Sequence, residues 1–93
     1  MQPDQHANHF YVYIIGDQSQ PQLNIGVSEN LLQQISLQGA YDSQPKLVYY
    51  EHYDREEIAR VRERHIKSSG PDEHLRLVES MNPNWLDLAD TLS

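Results

Sequence analysis

Phe10-Tyr11-Val12-Tyr13-Ile14-Ile15, then Gly16-Asp17-Gln18-Ser19-Gln20-Pro21, then Leu23-Asn24-Ile25-Gly26-Val27: these three runs decide the fold. The first is aromatic and β-branched, the composition of a half-buried strand. The second is turn chemistry. The third resumes a strand, expected to end near Gly26, so the pair reads as an antiparallel hairpin with a longer loop.

Working outward, Ser28 can cap a helix through its hydroxyl. Leu31, Leu32 and Ile35 follow at helical spacing, and that helix should fail around Gly39. Lys46 to Tyr53 reads as a third strand. Asp54 with Glu57 has the form of a capping box opening a second helix, whose buried stripe is expected to be Ile58, Val61, His65 and Ile66. On its outer face Glu56 pairs with Arg60, while Glu57 and Arg64 stand too far apart in register to pair well. Gly70-Pro71 separates it from a third helix with Leu75, Leu77 and Val78 inward, and Asn82-Pro83 stops that helix. Trp85, Leu88 and Leu92 suggest a short closing helix that packs the indole on the core. The expected fold is therefore α+β: a three-stranded central sheet in β-β-α-β-α-α order, covered by helices, with a flexible tail over 1–9 and one domain over 10–92.

Ninety-three residues suit a single domain. The absence of cysteine excludes disulfides and thiolate metal sites, and fits a reducing compartment. The polar start shows no basic cluster followed by an apolar run, and no stretch approaches a membrane span, so a cytoplasmic protein without membrane contact is expected. Fourteen acids against seven bases give a formal net charge of -7, the wrong sign for gripping phosphates unaided. No Lys or Arg precedes Lys46, and four of the seven are Arg60, Arg62, Arg64 and Lys67. That row is a candidate nucleic-acid contact or, more simply, a solvated helix face. His6 and His9 would suit a metal only on a formed helix with further ligands; His52, His65 and His74 read as surface or half-buried residues. Tyr49, Tyr50 and Tyr53 could stack nucleobases, or pack between strand and helices.

Tyr11-Val12-Tyr13-Ile14 followed by Leu23-Asn24-Ile25-Gly26-Val27 resembles the paired motifs that name the GIY-YIG nuclease superfamily. Lys46 to Glu51, Glu57-Ile58-Ala59-Arg60, Arg62-Glu63-Arg64-His65-Ile66-Lys67, and Met81-Asn82-Pro83-Asn84-Trp85-Leu86-Asp87-Leu88 resemble its small stand-alone bacterial branch. The similarity runs from Phe10 to Leu92. It implies magnesium-dependent hydrolysis of a DNA phosphodiester. In that family two tyrosines help activate water, an arginine on the first helix stabilises phosphate charge, often with a nearby histidine, and a glutamate on the next long helix holds the metal.

Carried over by position, Tyr13 retains the first tyrosine and Glu63 the metal-binding glutamate. Asn24 stands in place of the second tyrosine, Gln34 in place of the arginine, and Gln38 in place of the assisting histidine. Asn82 belongs to a closing segment read as structural. Tyr11 is expected on the sheet face opposite Tyr13 and is set aside as a substitute; Tyr41 has no spacing to recommend it; Arg60, one turn before Glu63, is a conceivable rescuer. Taken singly, Tyr13 could merely cover the sheet and Glu63 merely pair with Lys67. A general base contributes about 10²–10⁴ in rate, and an arginine at a phosphoryl transition state about 10³–10⁵. Loss of the arginine alone brings a turnover of about 10 per second below about one per minute. The expected function is thus a catalytically impaired GIY-YIG-like domain acting as a binding or regulatory module, with a protein partner favoured over naked DNA and magnesium bound weakly at Glu63, if at all. The alternative is an active magnesium-dependent DNA endonuclease with Glu63 as metal ligand.

Overall fold

The computed structural model describes residues 9–16, 23–31, 33–34 and 46–91. Strands β1 (Phe10–Ile15), β2 (Asn24–Ser28) and β3 (Leu47–Tyr53) form an antiparallel sheet in the order β2-β1-β3. Helices α1 (Glu56–Ser68) and α2 (Pro71–Met81) follow, then a 3-10 turn at Leu88–Thr91. The fold is α+β, as expected. The tail before His9, the hairpin loop and the end of the first helix lie outside the described residues. Leu31, Gln33 and Gln34 within that helix are helical.

Because β1 is central, it is hydrogen-bonded on both sides and almost wholly buried. Tyr13 faces Gly26 on β2 and Tyr50 on β3, while Tyr11 faces Ser28 and His52. Alternation along β1 supplies two apolar layers. Val12 and Ile14 pack towards Ala59, Ile66, Val78 and Trp85. Tyr13 and Ile15 pack with Leu31 and Leu47, with Tyr11, Tyr50, Leu88 and Ala89 against them. The expectation that Tyr11 faces away from Tyr13 is overturned: residues two apart in a strand share a face, and Tyr11 borders the Tyr13 layer.

The helices also depart from the expected pattern. The α1 cap is Arg55 in extended conformation, with no side-chain cap bond, so Asp54 forms no capping box. Ile58 and Val61 are 44% and 56% exposed and His65 is exposed, while Ala59 and Ile66 are buried. The helix is rotated from the expected stripe. Small Ala59 allows close approach to the sheet, and Arg62 turns inward to a carboxylate described below. On α2, Val78 is buried and Leu77 half-buried, but Leu75 is exposed. Pro71 opens α2 as expected. Asn30, not Ser28, caps the first helix: its Oδ1 accepts the Gln33 N–H at 3.1 Å, while the Ser28 hydroxyl closes the preceding turn on Asn30. β2 continues through Gly26 to Ser28.

The closing segment is a clamp and carries Trp85 outside any helix. Trp85 is 2% exposed, adopts a φ of 54°, and donates its indole N–H to Glu79 at 3.0 Å. Asn82, buried, donates through Nδ2 to the carbonyls of Val48 (3.1 Å) and Leu86 (2.8 Å) and accepts the Leu86 N–H at 2.9 Å. Asp87 accepts the Leu47 N–H at 3.2 Å. These side chains satisfy backbone groups at the start of β3 that would otherwise form an open edge. Among the described residues, no helix is long and apolar enough to cross a membrane.

Candidate functional site

Tyr13 is 7% exposed, and its ring lies over Gly26 of β2. A Cβ on Gly26 would stand 2.5 Å from the Tyr13 hydroxyl oxygen and 2.8 Å from Cζ, so the phenol occupies the space a side chain would need. Gly26 is there for close approach of a neighbour. Among the described residues, the Tyr13 hydroxyl makes no hydrogen bond. Its pKa is raised, first by burial and then by the negative charge of Glu63. The carboxylate on α1 thus reaches the phenol on β1 electrostatically.

Glu63 is 13% exposed at its side chain and has two neighbours of opposite sign on its own helix. Lys67 Nζ lies 3.3 Å away, one turn on, and Arg60 Nη1 lies 3.8 Å away, one turn before. Arg60 is shared with Glu56 at 3.2 Å. Asn24 opens β2, exposed, two residues from Gly26 and opposite Ile15, hence on the sheet face that carries Tyr13. Gln34 is half-buried, three residues after Leu31, whose side chain packs in the Tyr13 layer. Gln38 and Tyr41 lie outside the described residues. Tyr13, Gly26 and Glu63 therefore gather, with Asn24 beside them on the sheet.

Arg60, Arg62, Arg64 and Lys67 do not form one cationic row. Arg62 turns inward to the sheet, Arg60 and Lys67 flank Glu63, and Arg64 is exposed. Of the four, Arg64 alone has no acidic partner among the described residues.

A second carboxylate centre was not singled out from the sequence. Glu51 on β3 receives Arg62 Nε at 2.9 and 3.2 Å and Arg62 Nη2 at 2.9 Å, the hydroxyl of Tyr53 at 2.6 Å, and the hydroxyl of Tyr49. Burial alone would raise its pKa; the hydrogen bonds from Arg62, Tyr49 and Tyr53, with the guanidinium charge, outweigh that and hold it below the usual range. Tyr49 is pushed up to about 12, by burial and then by its bond to Glu51. The signal was available: Tyr49, Glu51 and Tyr53 recur with period two, so one face of β3 carries a carboxylate between two phenols. Tyr49 and Tyr53 thus turn their hydroxyls to Glu51.

On the sheet face of Tyr13, Tyr50 stands edge-on to Tyr11 at 6.2 Å and His52 lies 5.1 Å from Tyr11. His9 Nδ1 meets His52 Nε2 at 3.0 Å, and His74 Nε2 meets the Ile66 carbonyl at 2.6 Å, tying α2 to α1. Among the described residues no three His, Asp or Glu side chains converge as metal ligands. Glu63 is one carboxylate that already faces two cations, so a magnesium ion there would need substrate phosphate to complete its ligands.

Comparison of the chain with known family profiles, with curated proteins and with solved structures finds no match.

Proposed function

We propose that the chain is a GIY-YIG-like domain that does not cleave DNA efficiently and serves as a binding or regulatory module for a protein partner. One observation carries the reading. Tyr13 lies against Gly26 with Glu63 in electrostatic reach, yet the positions that the family resemblance assigns to a second phenol and a phosphate-binding arginine are Asn24 and Gln34. Asparagine takes no proton near neutral pH, and glutamine brings no charge to a developing phosphorane. The raised pKa of Tyr13 works in the same direction, since it lowers the fraction of phenolate available as a base. A protein partner is favoured because three of the four α1 cations are already committed to Glu56, Glu63 and Glu51. The committed charges release few counterions on meeting a duplex.

The test is nicking of supercoiled and branched DNA with magnesium or manganese. The natural chain is expected to be silent, and Asn24→Tyr/Gln34→Arg to gain cutting at raised metal concentration. Metal-dependent cutting by the natural chain that Glu63→Ala abolishes would mean an active endonuclease. Tight, salt-sensitive duplex binding would count against a protein partner.

A further inference from the structure

We infer that Lys67 and Arg60 take the place of a divalent cation at Glu63, making this a site compensated by the chain's own charges rather than by a metal. This rests on reading Glu63 as the position that holds the ion in active relatives of the family proposed above.

Glu63 is a largely buried carboxylate, so its charge needs a counterpart. It finds two. Lys67 stands four residues later, the favourable order of acid before base on a helix, and its ammonium lies near the helix C-terminus, where positive charge is stabilised. Arg60 stands three residues earlier and bridges Glu63 to Glu56. Both cations approach the carboxylate within 4 Å, so a metal bound to its oxygens at about 2 Å would lie close to them. Among the described residues no three acidic or imidazole side chains gather there, and Asn24 and Gln34 are neutral amides. A divalent ion arriving at Glu63 meets two positive charges at contact distance. Coulomb repulsion at such a separation, even with the dielectric of water, weakens its binding by about tenfold or more.

Manganese is the probe, because its unpaired electrons broaden nuclear resonances near the bound ion. The full chain is labelled, and signals of Glu63 and its neighbours are followed against added Mn²⁺ in three proteins: natural, Arg60→Gln/Lys67→Gln, and that double variant with Glu63→Gln. The natural chain is expected to keep sharp signals at Glu63. The double variant should broaden there at about a tenth of the metal concentration, and Glu63→Gln should abolish it. Equal broadening in the natural chain and the double variant overturns the inference. So does its absence from both, since the two cations would then not be what keeps metal away. The nicking assay separates the two ideas. A natural chain that binds manganese at Glu63 without cutting refutes the internal cation and leaves the impaired-nuclease reading standing; one that cuts refutes that reading.

Discussion

Glu51 and Glu63 are two carboxylates of similar exposure, 16% and 13%, both turned towards α1 cations, and they are held in different ways. Glu51 is filled. A guanidinium grips it in fork geometry from one side and two phenols donate from the other, so its oxygens are satisfied. Glu63 has no hydrogen bond of that kind among the described residues. Its cations stand at 3.3 and 3.8 Å, on side chains about half exposed. A carboxylate that builds a fold is surrounded by donors; one with spare lone pairs beside a buried, unbonded phenol keeps capacity for something else.

Breaking the fork gives the largest effect. Arg62→Ala leaves Glu51 half-buried and uncompensated, and is expected to lower stability by about 2–3 kcal/mol in urea unfolding. That is less than the loss of a fully buried partner, because Arg62 remains about a third exposed. A loss no greater than that from Glu63→Gln would erase the distinction. Gly26→Ala comes next. Its methyl must push the Tyr13 ring aside, at about 1–3 kcal/mol, with partial recovery in Gly26→Ala/Tyr13→Phe as the hydroxyl clash disappears.

The titration arms sharpen the same contrast. The folded pKa of Glu51 is lowered, so its contribution is present above the unfolded-state value of 4.5 and fades as pH falls through the folded one. Tyr49 is raised, so its contribution is whole below pH 10 and fades as pH climbs towards about 12. Unfolding of Glu51→Gln, followed by denaturant titration across pH, should lose the acid-side slope. The smallest effect is at Glu63: Glu63→Gln is expected to change stability by about 0.5 kcal/mol or less, because the Arg60 and Lys67 side chains it pairs with are about half exposed. A large loss there would make Glu63 a structural carboxylate after all.

Much of this was legible in the chain. The hairpin, the third strand and the proline-started α2 follow from local composition and punctuation, and Tyr13 and Glu63 fall together as their register suggested. The misreadings share a cause. The stripe on α1 was assigned by hydrophobicity, but this helix lies across the sheet face and is oriented by its smallest residue and its best ion pair, here Ala59 and Arg62. The cap moved from Ser28 to Asn30 because both side chains can bond the same turn, and only the chain's path decides between them. The Tyr49–Glu51–Tyr53 half of the second centre was carried by the period of β3, but its Arg62 half needed a pairing across eleven residues that no local pattern contains.

Tyr13 and Gly26 have a consequence for descent. Since the phenol fills the space of the missing side chain, Gly26 cannot gain a side chain while the Tyr13 ring stays in place. Such a lock persists by packing, whatever becomes of the chemistry beside it. Packing alone is reason enough for the pair to be kept.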